Sequence, residues 1–249
     1  MANPALTKSF KTAVAEQQGG FNGNMVAEPP MTVAGTAGKA LLMLGVVIVS
    51  AFVTAFITIM NAQSIGSALT VAMVASLAAL GVAIWVSLSK TVQKAGMFIY
   101  ALLEGILVGV LSLVFEVQYP GIVLQAVFAT FATAGLIFVA WRLGWIKVND
   151  KFMKFLMFGL FAYIGLSLVN ILLAVFTGFN VFATEFGWIA GLIGCTLAAF
   201  SLAADFQIIN AGAEAKLTRE NEWRGAFGLT VTLIWLYLEI LRLLAIARR

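Results

Sequence analysis

The sequence predicts an all-α integral membrane protein, a bundle of seven transmembrane helices. Of its 249 residues, 62% are hydrophobic and 10% are charged, and the mean hydropathy is +1.02. A soluble domain carries about 25% charged residues. Apolar stretches of nearly membrane-spanning length recur seven times between short polar breaks. This composition excludes a soluble enzyme, a nucleic-acid binder and a disordered chain.

The apolar stretches must be helices, because every backbone amide in lipid has to be hydrogen-bonded within its own segment or in a closed barrel. The runs are too long and too continuous for the alternating strands of a barrel. The predicted spans are Ala40–Met60, Ala68–Leu88, Met97–Phe115, Ile122–Trp141, Phe155–Phe176, Phe186–Ile209 and Ala226–Ile246.

The segment before the first span has a different composition, rich in glycine and containing Pro29 and Pro30. It has no apolar run long enough for a signal peptide. We therefore predict two regions: a flexible cytoplasmic N-terminal tail, residues 1–38, and a seven-helix transmembrane domain, residues 39–249. The turns between spans are predicted at Asn61–Ser64, Tyr119–Gly121 and Gly178–Asn180, with a polar hairpin at Lys90–Lys94.

The positive charges predict the orientation. Twelve of the fifteen Lys and Arg residues lie in the tail and in the second, fourth and sixth loops. The positive-inside rule therefore places the N-terminus in the cytoplasm and the C-terminus outside. Arg248 and Arg249 conflict with this assignment and leave open a last segment that bends back to the cytoplasmic side.

Small residues in two spans have the spacing that lets helix backbones approach closely. Gly105 and Gly109 form a GxxxG pair in the third span, and Gly187, Gly191 and Gly194 are similarly spaced in the sixth. Glycine is also common in membrane helices without such a role, so both interpretations stay open at this point.

Four ionisable residues interrupt the apolar runs: Glu104, Asp205, Glu239 and Arg242. A charge at bilayer depth costs at least about 2.5–3.5 kcal/mol on insertion scales. Glu104 is either a structural carboxylate or part of a cavity lining, and Asp205 is either interfacial or functional. Glu239 and Arg242 are three residues apart on one helix face and can form an ion pair.

With three acids and one base, at least one carboxyl must be protonated, hydrated or bridged by a cation. Two carboxyls brought together share a proton or supply hard oxygen ligands, which suit Ca²⁺. Asp205 and Glu239 are 34 residues apart, with Glu222 at the midpoint. The two acids lie at the same depth in the membrane only if the chain turns between their helices near Glu222. Otherwise Glu239 lies several helical turns away from the depth of Asp205.

The last third contains DFQIINAG at Asp205–Gly212 and then LYLEILRLL, and the third span contains FIYALLEGILVG. These segments resemble the Bax inhibitor family, the transmembrane Bax inhibitor motif proteins, which include bacterial members. The resemblance covers roughly Lys39 to Ala247. It implies a seven-transmembrane-helix bundle with the last helix central. It also implies a pH-sensitive calcium leak controlled by an acidic dyad on helices six and seven, which by motif match is Asp205 and Glu239.

The sequence departs from the family pattern in three respects. Glu239 stands where the family usually has Asp, and the segment between the two acids is longer by about a helical turn or more. Arg242 replaces a neutral polar residue. Bacterial relatives have a basic residue on the second helix that latches the dyad. Here Lys90, at the end of that helix, is the nearest candidate; the alternatives are that Arg242 takes the role or that the latch is absent.

The leading hypothesis is a cation leak channel, above all for calcium, in the plasma membrane. Asp205 and Glu239 would gate it and bind the metal transiently, Glu104 would line the pore, and Arg242 would compete with the cation. No tightly bound cofactor and no nucleic-acid partner is expected; the partners are the lipid bilayer and the cations. The sequence lacks HExxH, GxSxG and P-loop motifs, so an enzyme is not expected.

The alternative is a non-conducting membrane adaptor that regulates quality-control proteases or stress-response partners. It would act through the tail and the charged segment 213–224. A proton-coupled transporter is less well supported, because no pair of broken helices points at a central site.

Overall fold

The computed structural model describes residues 29–60, 65–178, 184 and 187–248. Within these ranges the chain forms seven α-helices and no β-strand, with one isolated antiparallel bridge between Pro30 and Thr218. The helices are α1 (Val33–Met60), α2 (Ile65–Leu88), α3 (Lys94–Gln118), α4 (Ile122–Arg142), α5 (Asp150–Thr177), α6 (Gly187–Glu214) and α7 (Asn221–Ala247).

All seven helices are long and apolar enough to cross a membrane, so the predicted fold class is confirmed. Large apolar side chains such as Phe52, Leu136 and Phe158 are exposed on them, as expected of surfaces that face lipid. The helices extend beyond the predicted spans at most ends. The extension is seven residues at the start of α1 and five at polar flanks such as Asp150–Lys154, because hydropathy marks the apolar part of a helix and not its caps.

The start of α1 corrects the predicted boundary between the tail and the membrane domain. The helix begins at Val33, six residues before the predicted domain, so residues 33–38 are helical. Thr32 caps it, because the Thr32 Oγ1 accepts a hydrogen bond from the Gly35 amide at 2.9 Å. Residues 1–28 of the predicted tail lie outside the described part of the chain.

Two of the predicted turns are observed. Gly121 precedes α4 with φ +82°, and Gly178 ends α5 with φ +71°. Both angles lie in the left-handed region that favours glycine. The predicted turn at Asn61–Ser64 and the end of the one at Gly178–Asn180 lie outside the described residues.

The described residues belong to two compact units. One contains the described residues within 119–206 and 232–248; the other contains those within 29–118 and 207–231. In the second unit α3 packs closely on α1. A side chain on Gly105 would begin 2.5 Å from Ser50 Cβ, and one on Gly109 would begin 2.8 Å from Ala51 Cα. The GxxxG pair of the third span therefore does have a packing role.

Helices α6 and α7 are the most buried of the seven. In its most apolar stretch, 61% of α6 and 50% of α7 is buried, whereas the other five helices reach 17% to 28%. The ionisable residues Asp205, Glu239 and Arg242 all lie on these two helices. The structure thus places these charges in the least lipid-exposed part of the chain.

The C-terminal end of α7 does not bend back. The helix is continuous from Asn221 to Ala247, and Arg248 follows it. The Arg248 guanidinium donates hydrogen bonds to the Pro120 carbonyl at 3.2 Å and to Gln125 Oε1 at 2.7 Å. These partners adjoin the third loop, which has no Lys or Arg, so the end of α7 lies on that side.

Candidate functional site

Asp205 lies on α6 and is buried, with 2% of its surface exposed. Its Oδ2 accepts a hydrogen bond from the Thr232 hydroxyl of α7 at 2.6 Å. Its Oδ1 is also buried and has no hydrogen-bond partner within the described ranges. In those ranges Asp205 forms no ion pair either, so nothing there neutralises an ionised carboxylate.

Ser201 lies one turn before Asp205 on the same face of α6 and is fully buried. Its hydroxyl likewise has no hydrogen-bond partner among the residues described. Buried polar atoms are nearly always satisfied, and those that are not mark a place for water, an ion or a shared proton. Ser201, Asp205 and Thr232 therefore bring three side-chain oxygen groups into one buried location.

Glu239 lies in a different set of contacts. Its Oε2 is 2.5 Å from the Arg242 guanidinium, and its Oε1 accepts hydrogen bonds from the Tyr163 hydroxyl at 2.7 Å and from Trp235 Nε1 at 3.1 Å. Arg242 also donates to the Tyr163 oxygen at 2.7 Å. The predicted Glu239–Arg242 ion pair is present, and it is fully hydrogen-bonded on the carboxylate side.

Gly194 on α6 makes room for this cluster. A side chain at Gly194 would begin 2.6 Å from the Glu239 carboxyl carbon and 2.6 Å from the Tyr163 hydroxyl. Gly191, one turn earlier, faces Leu243 of α7 in the same way. The glycines predicted to pack in the sixth span therefore admit a carboxylate as well as a neighbouring helix.

The structure corrects the expectation that Asp205 and Glu239 face each other. Asp205 faces Thr232, and Glu239 lies seven residues beyond Thr232, about 10 Å further along α7. On α6, Glu239 is opposite Gly194, about 16 Å from the level of Asp205. The reason is that the helices turn at residues 215–220, earlier than Glu222, so the two acids do not come level.

A joint metal site formed by Asp205 and Glu239 stays a prediction, although the two carboxyl groups have different contacts. Among the described residues no group of three or more His, Cys, Asp and Glu side chains could hold a metal ion. Complete coordination of Ca²⁺ needs 6–8 oxygens, so two carboxylates would need further oxygen ligands.

The other two predicted residues lie in the second compact unit. Glu104 is partly buried on α3, beside the Gly105 that contacts α1. Lys90 is exposed in the loop between α2 and α3, where its backbone carbonyl accepts a hydrogen bond from Arg224. Pore lining by Glu104 and a latch role for Lys90 stay predictions.

Sequence reasoning missed the residues that contact the two acids. The sequence does contain an indication for Thr232, a polar residue that interrupts an apolar run two turns before Glu239 on the same helix face. Nothing in the sequence marks Tyr163 and Trp235 as partners of an acid, because aromatic residues are common in membrane helices. Ser201 was equally inconspicuous.

A further carboxylate, that of Glu222, belongs to the charged segment 213–224, and the structure buries it. Glu222 is 1% exposed at the start of α7. Its carboxylate accepts hydrogen bonds from the amide and hydroxyl of Thr32, each at 2.9 Å, and is 2.5 Å from Lys39 Nζ. Backbone hydrogen bonds from Met31 to Leu217 and from Arg219 to Pro29 join the same two segments.

Comparison with known proteins assigns the chain to a family. The family model described as Bax inhibitor 1 like matches residues 3–249, which is essentially the whole chain. Among proteins of curated function, none matches. The full-length match agrees with the seven membrane helices and with the motifs around Asp205, Glu239 and Glu104. The chain is a membrane protein that belongs to the Bax inhibitor 1 like family.

Proposed function

We propose that the chain provides a pH-sensitive leak pathway for cations, with calcium as the main conducted ion. We also propose that Asp205 is the residue that controls this pathway. The observation that carries the proposal is the environment of its carboxyl group. One oxygen accepts a single hydrogen bond from Thr232, and the other is buried with no partner in the described ranges.

The protonated and ionised forms of Asp205 place opposite demands on this environment. A neutral carboxyl tolerates burial with one hydrogen bond. An ionised one without a counter-charge costs several kcal/mol unless water or a cation reaches it. Loss of the proton therefore favours opening of the α6–α7 contact at this level and entry of a hydrated cation. We expect flux to rise as the pH rises.

Glu239 has a different role in this proposal, because Arg242 already neutralises it. The pair begins about 10 Å beyond Thr232 along α7, so it is a second acidic position on the pathway, apart from Asp205. A cation at this level has to compete with the Arg242 guanidinium, which is 2.5 Å from the carboxylate. Gating thus depends on two acids that act separately.

Calcium flux into proteoliposomes, measured across a pH series, tests the proposal. We expect Asp205→Asn to lose most of the pH response, because an amide cannot lose a proton. The matched control is Glu214→Gln, which changes an exposed acid at the end of the same helix and should behave like wild type. Glu239→Gln should change the amount of flux and keep the pH response.

A wild-type pH response in Asp205→Asn would overturn control by Asp205. No calcium or other cation flux through folded wild-type protein at any pH would overturn conduction and favour the non-conducting adaptor. In the described region the backbone of residues 217–219 and the Glu222 carboxylate are engaged by residues 29–32 and Lys39. The side chains of Arg219 and Glu220 are exposed and are the groups of this segment that an adaptor would offer to a partner.

A further inference from the structure

A pocket of about 400 Å³ lies where α1, α3 and α7 approach one another near their N-terminal ends. All of its lining belongs to the second compact unit. This volume is within the range of about 300–1,000 Å³ found for small-molecule sites. The lining residues are Pro29, Lys39, Lys94, Arg219, Glu220 and Trp223.

The charges of the lining favour an anion. Three side chains are cationic, and Glu220 is the only acid among the six. Glu222 beneath the pocket is already engaged by Lys39 and Thr32. Arg219 is 65% exposed and only 3.8 Å from Glu222, and Lys94 forms an exposed ion pair with Glu220 at 3.3 Å. The exposed Lys94–Glu220 pair is worth about 0–1 kcal/mol, so an incoming anion can replace the Glu220 carboxylate at little cost.

The walls of the pocket are fixed before any ligand arrives. The Arg219 amide donates a hydrogen bond to the Pro29 carbonyl, and Lys39 Nζ donates to the Arg219 carbonyl at 3.4 Å. The Trp223 ring packs edge-on against Phe98, with 5.6 Å between centroids, and lies under Lys39 Nζ at 5.3 Å. Binding therefore does not have to order these groups, which lowers its entropic cost.

The position of the pocket indicates where the anion comes from. Lys94 is the first residue of α3, and Trp223 is the third residue of α7. Trp, Lys and Arg at the ends of membrane helices lie at the level of the lipid headgroups. Basic pockets between such helices bind anionic headgroups.

We propose that this pocket binds a phosphate-bearing anion, and that in the membrane the phosphate belongs to an anionic phospholipid. Lys94 and Arg219 supply the positive charge that contacts the phosphate. Lys39 and Trp223 form the fixed wall, and Glu220 moves aside. The inference is independent of cation conduction, and its test does not use flux.

The test measures binding of two probes to the full chain in a zwitterionic detergent, through the shift of the thermal unfolding midpoint. The probes are inorganic phosphate and a short-chain phosphatidylglycerol, with short-chain phosphatidylcholine as the uncharged reference. We expect Lys94→Gln/Arg219→Gln to weaken phosphatidylglycerol binding about thirtyfold, at about 1 kcal/mol for each basic residue. Arg142→Gln/Lys151→Gln is the matched control, because it removes two exposed positive charges outside the pocket.

Glu220→Gln gives a result of opposite sign, since it removes the one acid among the described lining residues. We expect binding about fivefold tighter than wild type. Phosphatidylglycerol binding that follows this pattern supports the lipid headgroup as the source. The same pattern with inorganic phosphate, and no preference for phosphatidylglycerol over phosphatidylcholine, supports a soluble phosphate. Equal effects of the pocket and control variants on both probes would overturn the proposal.

Discussion

The hydroxyl of Thr232 donates a 2.6 Å hydrogen bond to Asp205, whereas the resemblance to Bax inhibitor proteins implies that Asp205 pairs with Glu239. A hydroxyl cannot share a titrating proton with a carboxyl as a second carboxyl can. The buried acid of α6 therefore faces a neutral donor. The second acid, Glu239, is displaced along α7 and neutralised by Arg242.

This contact makes Thr232 more important for stability than its neighbours. We expect Thr232→Val to lower the free energy of unfolding by about 1–3 kcal/mol, because it leaves a second buried carboxyl oxygen without a donor. Thermal unfolding in one detergent at fixed pH provides the measurement. Thr230→Val is the matched control, since the Thr230 hydroxyl is equally buried and bonds only to the Ala226 carbonyl of its own helix. Equal destabilisation by the two variants would contradict the role given to the Asp205 contact.

Much of the fold could be predicted because lipid imposes simple requirements on a chain. A continuous apolar run near 20 residues in length has to be a helix, and short glycine-containing breaks have to be turns. The part of the fold that hydropathy did not predict is the polar ends of the helices. The first turn of α1 contains Gly35, a residue that is more typical of loops. This turn is helical because Thr32 caps the helix and the Glu222 carboxylate accepts a hydrogen bond from the Thr32 amide.

The site was harder to predict because its acids are recognisable and their partners are not. Glu239 and Arg242 are three residues apart, so local geometry was enough to pair them. Which residue of α7 lies opposite Asp205 depends on where the chain turns between α6 and α7. That connection is set by the contact of residues 217–219 with residues 29–31, which no periodicity reveals.

The buried carboxylate of Glu222 is expected to stabilise the start of α1. We expect Glu222→Gln to cost about 3 kcal/mol, because it leaves the Lys39 ammonium without its buried counter-charge. Hydrogen exchange should also become faster at the Thr32 amide, which donates to this carboxylate. Glu220→Gln serves as the control, as Glu220 is 54% exposed and should change stability by about 0.5 kcal/mol or less. Unaltered exchange at Thr32 in Glu222→Gln would show that the carboxylate does not hold the helix start.

The glycines of α3 and α4 should respond in opposite directions to the same substitution. Gly109→Ala places a methyl group against the Ala51 backbone, and we expect a loss of about 1–3 kcal/mol. Gly135→Ala adds its methyl where nothing lies within 4 Å, so better helix propensity should stabilise the chain by about 0.5–1 kcal/mol. Unfolding midpoints of the two variants in one detergent give the comparison. A change of the same sign in both would argue against close α1–α3 packing at Gly109.

The Glu239–Arg242 pair should show a coupling energy that a surface ion pair does not. We expect Glu239→Gln and Arg242→Met each to cost about 3 kcal/mol, since each leaves one partner of a poorly solvated pair without its counter-charge. The double variant should cost less than the sum of the two by about 1–3 kcal/mol. A parallel cycle on Lys94 and Glu220, which are both about half exposed, should give about 0.5 kcal/mol. Equal coupling in the two cycles would mean that Glu239 and Arg242 are solvated, and Glu239 could then bind a passing cation without displacing the guanidinium.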